Sequence, residues 1–335
     1  VFTQPPELPD AAVADALLAG WELSVSTLGY LAVGFGSHHW LATDINGARW
    51  FVTIDDLVAK RESIDETEGV TFERLRAALA TARALNDSGA AFVVAPIPAL
   101  DGAIVRRVSG RFAVALYPYI EGTTRRGNYE ASSDRLAVCD LIVAIHSTET
   151  PSNDTIHDDF ALANRDALEQ ALGDLSRSWD LGPYSDRARA LLSDHANGVE
   201  RLLAHYDRLA DAARARPDHT VVTHGEPHIE NVIFTTTGPV LVDWNTALIA
   251  PPERDLWMLE SGDGAISGAY TDATRIPVLS SMLDLYRLRW DLAEIAVYIA
   301  QFRDPHTETA DTRESWKNLN HYLDPALRWP SLVAR

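Results

Sequence analysis

His224-Gly225-Glu226-Pro227-His228-Ile229-Glu230-Asn231, followed by Val242-Asp243-Trp244, is the stretch that decides the fold. Before it, Thr220, Val221 and Val222 predict a short β-branched strand. After it, Val232-Ile233-Phe234 and Val240-Leu241-Val242 predict two more strands, joined by a turn at Thr237-Gly238. One small loop system thus carries a carboxylate, an amide and a second carboxylate. Phosphoryl transfer needs a carboxylate to orient the attacking hydroxyl, and an amide oxygen and a carboxylate to hold Mg²⁺ against the triphosphate. Glu226, Asn231 and Asp243 are the candidates for these three roles. A zinc helix built on His224 and His228 is disfavoured, because Pro227 lies inside the run and interrupts any helix.

The spacing His-Gly-acid-four residues-Asn, with a later hydrophobic pair and Asp, resembles the aminoglycoside phosphotransferase family, relatives of choline kinases and protein kinases. His224, Gly225, Asn231 and Asp243 match that pattern, while Glu226 stands where the family usually has Asp. The resemblance implies an α+β, bilobal, protein-kinase-like fold with a β-rich N-lobe and a mostly helical C-lobe. It implies ATP and Mg²⁺ as cofactors and a catalytic role for Glu226, with Asn231 and Asp243 on the metal. His224 becomes a structural histidine beneath the loop. Asp255, in Pro252-Glu253-Arg254-Asp255-Leu256, becomes a brace for the catalytic loop rather than a substrate contact.

The rest of the chain is arranged in the matching order. A capped, Ala-rich helix at 10–20, stopped by Gly20, precedes strands at 21–26 and 28–33. Asn46-Gly47 between 41–43 and 50–54 predicts a hairpin. Phe72, Leu75, Leu79 and Ala82 repeat at helical spacing within 71–87, and strands follow at 91–95 and 112–117. These divide the chain into an N-terminal nucleotide lobe, 1–117, a hinge, 118–122, and a catalytic and acceptor-binding lobe, 123–335. The last lobe is read as helical at 134–146, 158–173, 185–213, 281–302 and 312–322 around the strands of 219–243.

Gly34-Phe35-Gly36-Ser37 lies between two strands, where small residues let backbone amides approach phosphate oxygens. Gly34, Gly36, Ser37 and His38 are the phosphate-loop candidates, the last two through their N–H groups. In the hinge, the Pro118 carbonyl and the Ile120 N–H are placed to bond an adenine by the resemblance. One family feature is missing: Thr53 stands where a lysine usually clamps the phosphates, although Glu73, the usual type of partner, is present on the next helix. Lys60, Arg49 and Arg106 are the substitutes the sequence offers. Asp291 and Glu294, beside Trp290, are candidates to hold ammonium groups of an acceptor, as acidic residues on C-terminal helices do in the family.

Bulk properties narrow the partners. A formal net charge of −19 argues against nucleic acid or an anionic membrane and is compatible with a cationic substrate. No apolar run reaches the length of a membrane span, and Val1 to Pro6 show neither the basic nor the apolar region of a leader. A single cysteine, Cys139, within an apolar helical run, excludes an intrachain disulfide and fits a reducing cytoplasm. The expected function is ATP-dependent O-phosphorylation of a small hydroxylated molecule, such as an aminoglycoside- or spectinomycin-like antibiotic or an amino sugar. The alternatives are a metabolite kinase of the choline or sugar kinase type, and a kinase-fold nucleotide-binding or regulatory protein with little catalysis.

Overall fold

Apolar alternation on either side of Asn46-Gly47 builds the centre of the first lobe. In the computed structural model, which describes residues 1–148, 155–216, 219–324 and 329, β2 (Ser37–Asp44) pairs antiparallel with β3 (Arg49–Asp56) across that turn. β1 (Val25–Leu31) flanks β2, while β5 (Phe112–Pro118) and the two-residue β4 (Arg106–Arg107) lie beyond β3, giving the order β1-β2-β3-β5-β4. Trp40, Ala42, Val52, Ile54, Val114 and Leu116 face α1 (Asp10–Trp21) through Val13 and Leu17. The alternate residues, among them Ala113 and Ala115, meet Leu75 and Leu79 of α2 (Glu68–Asp87). A two-sided burial of this kind follows from the period-2 strand pattern.

The second lobe is helical, with α3 (Ser132–His146), α4 (Arg165–Gly173), α5 (Ser185–Arg214), α6 (Glu253–Leu259), α7 (Ala265–Thr274), α8 (Ser280–Arg303) and α9 (Ala310–Tyr322). Leu192, Leu202 and Tyr206 of α5 interlock with Leu285, Leu292 and Ile299 of α8 in one core. Between α3 and α6 lie β6 (Val221–Thr223), paired with β9 (Leu248–Ala250), and the hairpin β7 (Val232–Thr235) and β8 (Gly238–Leu241). Cys139 packs in the core beneath these strands, and burial pushes its thiol up to about 11, so it serves packing. The β-rich first lobe and helical second lobe are the protein-kinase-like architecture that the sequence predicts. Residues 330–335 of the expected second lobe lie outside the described residues.

Expected elements differ at three places. The first helix continues through Gly20 to Trp21 and stops at Glu22, in the left-handed region at φ 52°, and the two strands expected at 21–26 and 28–33 are one, β1, which begins only at Val25. Residues 91–95 form no regular strand. Their backbone is used instead by β8: Leu241 N–H donates to Phe92 and Val94 N–H donates to Leu241. The helix expected at 158–173 starts only at Arg165, because Asp158 is drawn into a buried cluster. Its carboxylate accepts from Arg289 Nη1 at 2.8 Å and from the Tyr286 hydroxyl at 3.0 Å. Among the described residues no helix is long and apolar enough to cross a membrane.

The lobes meet at Gly122. Thr123 exchanges two backbone hydrogen bonds with Phe234, at 3.0 and 2.9 Å, and this draws the preceding residue onto β7. A Cβ on Gly122 would lie 2.5 Å from Ile233 Cγ2 and 2.7 Å from the Phe234 carbonyl oxygen. Only glycine fits, since that carbonyl cannot retreat without losing its bond. Gly122→Val should therefore lower the unfolding free energy by about 1–3 kcal/mol, the scale of overpacking. Gly29→Val, where a Cβ meets nothing within 4 Å, is the comparison. Urea denaturation decides the matter, and equal midpoints for the two variants would contradict the close approach.

Candidate active site

The loop that carries Glu226 leaves β6 and is held from below by Asp255. Its fully buried carboxylate accepts the N–H of His224 at 2.9 Å, the N–H of Gly225 at 2.6 Å and Nε2 of His146 at 3.1 Å. Burial opposes its charge, but the His146 hydrogen bond and the neighbouring His146, His224 and Arg254 outweigh it and hold the carboxyl below its ordinary value. His224 is buried against Trp244, with ring centroids 4.4 Å apart. Its Nε2 donates to the Val242 carbonyl at 2.9 Å, so Nδ1 is free to accept the Glu226 N–H at 3.1 Å. Burial pushes this imidazole down to about 4, so it stays neutral and keeps that tautomer. Gly225, at φ 97°, lies over Arg254: a Cβ there would come within 2.5 Å of the guanidinium. Arg254 is itself fixed by the Thr223 hydroxyl and the Thr246 carbonyl, both at 2.8 Å.

On this base the loop presents its polar groups to the cleft. Glu226 is partly exposed, with a carboxylate oxygen 3.9 Å from His228 Nε2. Asn231 ends a 3-10 turn (Ile229–Asn231), and its Nδ2 donates to the Glu226 carbonyl at 3.0 Å and meets His228 Nε2 at 3.2 Å. With the nitrogen so occupied, the amide oxygen is the atom left for a cation. Asp243 follows β8 in the left-handed region at φ 63°, a conformation uncommon for a non-glycine residue. Asp243 is exposed to solvent on one side and crowded by protein on the others. Burial raises its carboxyl to about 6, with Glu226 and Asp55 adding to the effect and Lys60 opposing it. Burial also raises Glu226, against Lys60 and Arg254. Glu226 thus adds to the rise at Asp243, and a cation held there would relieve it.

The first lobe covers this floor. Gly34 and Gly36 take φ 69° and 89° ahead of Ser37, whose hydroxyl donates to Asp55 at 2.7 Å. His38 turns its ring to the α1 side of the sheet, 3.2 Å from the Tyr30 hydroxyl, so only its backbone can serve the loop. His39, on the opposite face and not singled out by the sequence, lies under Gly34 and meets Thr53 Oγ1 at 3.3 Å. In the linker, Pro118 pairs with Trp50 at the end of β5, and Ile120 follows, half-buried. Tyr119 between them stacks under Arg49, 4.0 Å from the ring centroid.

The substitutes for the missing lysine separate clearly. Arg49 pairs with Glu121 on the linker, and Arg106 pairs with Asp101 beside Gly20, outside the cleft. Lys60 folds back to Asp55, 2.9 Å from Nζ to Oδ1. Glu73 plays no part in this: it is 62% exposed and pairs with Arg76. On α8 the two acidic candidates also part. Asp291 is buried and accepts from Trp329 Nε1 at 2.6 Å, inside the fold rather than in the cleft. Glu294 accepts from the Tyr298 hydroxyl at 2.7 Å, and Tyr298 stands edge-on to Phe35 at the tip of the glycine loop, centroids 6.1 Å apart. Among the described residues there is no group of three or more His, Cys, Asp or Glu able to hold a metal, so a histidine-rich zinc centre is absent there.

Comparison with known proteins adds to this geometry. A model of the phosphotransferase enzyme family matches residues 37–298. Protein StrN of Streptomyces griseus is 33% identical over 257 residues, covering 71% of this chain and 74% of its own. Among solved structures, a spectinomycin phosphotransferase in complex with ADP and spectinomycin superposes with a TM-score of 0.73 at 17% identity, covering 96% of this chain and 98% of its own. The choline kinase LicA from Streptococcus pneumoniae does so with a TM-score of 0.56 at 13% identity, covering 94% and 98%. At these identities the two structures speak to the fold. With the family model spanning the glycine-loop serine to α8 and the relative covering most of the chain, this protein belongs to the phosphotransferase enzyme family and is a small-molecule kinase.

Proposed function

We propose that this kinase transfers the γ-phosphoryl group of ATP to a hydroxyl of a small cationic molecule, of the aminoglycoside, spectinomycin-like or amino-sugar type. The observation that carries the reading is the convergence of Glu226, Asn231 and Asp243 on one cleft floor beneath a two-glycine loop. One amide oxygen and one carboxylate are a set that suits Mg²⁺, which takes one or two protein carboxylates and completes its shell with water and phosphate oxygens. Asn231 and Asp243 would hold the ion, and when bound it supplies charge neutralisation to the triphosphate. Glu226 lies at the loop's edge, where its carboxylate orients the acceptor hydroxyl and takes its proton. Its added methylene relative to Asp is accommodated by a loop held from below, through Asp255 and His224.

The linker 118–122 receives the base, and Gly34 to His38 offer their backbone to the phosphates. A cationic acceptor is supported by the carboxylates Glu226 and Asp243 on the cleft floor and by the net charge of −19. The spectinomycin phosphotransferase of the same fold acts on an antibiotic, which places such molecules first in the panel to be tried. Mg²⁺-dependent ATP consumption is measured with aminocyclitols, aminoglycosides, amino sugars and choline. Acceptor-dependent turnover above the ATPase background is expected for at least one cationic alcohol. Nucleotide-dependent stabilisation without turnover on any of them would favour a binding or regulatory protein instead.

Glu226→Gln should lower kcat by at least about 100-fold, the scale of a lost general base, with nucleotide affinity near that of the wild type. Unchanged turnover in that variant would remove Glu226 from the mechanism.

The raised carboxyl of Asp243 sets a pH dependence. Protonated below about 6 and ionised above it, the group attracts a cation only in its upper range. Affinity for Mg·ADP should be full above neutrality and fall by up to about tenfold per pH unit below that point. Titration calorimetry between acid and neutral pH checks this: Asp243→Asn should bind weakly with a flat profile, and a flat wild-type profile would contradict the assignment.

A further inference from the structure

Kinase-like chemistry places a cation against the nucleotide's phosphates, and the strand position that would supply it is Thr53. No cation stands at that position here. Thr53 Oγ1 meets His39 Nδ1 at 3.3 Å, and burial holds His39 neutral, pushed down to about 4. Each nearby arginine is engaged elsewhere. Arg49 is on the linker with Glu121, Arg106 is outside the sheet with Asp101, and Arg254 lies beneath Gly225 on Thr223 and Thr246. Arg74 is held by Glu66, Glu62 and the Lys60 carbonyl.

Lys60 is different. It ends the turn that follows β3, where its N–H bonds the Asp56 carbonyl at 3.0 Å and its carbonyl accepts from Arg74 at 2.6 Å. Fixed at both backbone groups, it sends its side chain back toward the sheet. Nζ comes to 2.9 Å from Asp55 and to 4.0 Å from where a Cβ of Gly36 would lie. Asp55 also takes the Ser37 hydroxyl at 2.7 Å, so one carboxylate joins the lysine to the glycine loop. The side chain is 21% exposed against 2% for Asp55, which leaves Lys60 the more accessible member of the pair. Its charge reaches Asp243 and Glu226, the two carboxylates of the floor.

We propose that Lys60, delivered from the turn after β3 and tethered by Asp55, is the residue that binds the nucleotide's phosphates in this chain, in place of a strand lysine. Asp55 thereby takes the steering role for which Glu73 is too far out on α2. The inference rests on the nucleotide-dependent reading above. An ammonium has three donors and keeps only one on Asp55, so phosphate oxygens can be added without breaking the tether.

The test compares Mg·ADP with adenosine by titration calorimetry on wild type, Lys60→Met, Lys60→Arg and the relocation variant Lys60→Met/Thr53→Lys. Wild-type protein that binds neither ligand would refute the nucleotide reading itself, and with it this proposal. Given wild-type binding, Lys60→Met should lose about 10- to 100-fold in ADP affinity, the value of a charged hydrogen bond, and change adenosine affinity by less than about twofold. Lys60→Arg should retain most of the affinity, and the relocation variant should recover part of it by returning the charge to the strand. Equal ADP affinity in wild type and Lys60→Met would overturn the proposal. So would equal losses for ADP and adenosine, which mark a structural counter-ion of Asp55. Should Lys60→Met fail to fold by circular dichroism, Lys60→Met/Asp55→Asn, which leaves no unpaired buried carboxylate, takes its place. A loss confined to ADP in that variant supports the role, and unchanged ADP affinity, or equal losses for ADP and adenosine, overturns it.

Discussion

The carboxylate of Asp255 is the point on which the site depends. It is fully buried and receives two successive backbone N–H groups of the catalytic loop together with a ring nitrogen of His146. Backbone donors at the mouth of a short strand have no ladder partner of their own, and leaving each one buried and unpaired costs about 1–3 kcal/mol. Asp255 removes that cost and in doing so fixes the direction in which the chain leaves β6. From there the consequences run upward: His224 is locked between Val242 and the Glu226 N–H, and Asn231 is locked onto the Glu226 carbonyl. The groups that face the cleft are therefore oriented by groups buried beneath them.

Much of this was legible because it is local. The residues from His224 to Asn231 and Asp243 lie within one hairpin's length of each other, and their spacing alone places them on a common loop system. The Asn46-Gly47 turn and the long helices were equally local, resting on turn chemistry and apolar period. What escaped was decided by distant partners. Residues 91–95 have strand-forming side chains, but their backbone bonds go to Leu241, some 150 positions later by count of the chain. The helix at 158–173 loses its first turns to Asp158, whose charge is claimed by Arg289 and Tyr286 of α8. Asp291 and Glu294 are three residues apart and look alike in sequence, yet one lies under Trp329 and the other beside Tyr298. Lys60 was visible only as one cation among three, since the turn that aims it is set by Arg74 and Asp56 rather than by any motif.

The electrostatics of the cleft have a single sense. Burial drives up Glu226 and Asp243, while it drives down His39, His224 and His228. All five are thereby pushed toward their neutral forms, and Lys60 with Asp55 is the ion pair that persists among them. A cation held at Asp243 would favour its ionised form and so offset the burial that opposes it.

The hairpin β7–β8 is bonded near both of its edges by chain that leads to the first lobe: Thr123, just past the linker, joins Phe234, and residues 92 and 94 join Leu241. The same hairpin is bracketed by Asn231 at its entry and Asp243 just past its exit. A hinge at this hairpin would have Asn231 and Asp243, the residues proposed to hold the metal, set into its pin. In a rotation about such a pin, points near it travel least and the free edge travels most. The linker would stay close to Asn231 and Asp243, whereas the Phe35 tip would move away from Tyr298. A nucleotide held as proposed would in this way be insulated from an opening on the acceptor side.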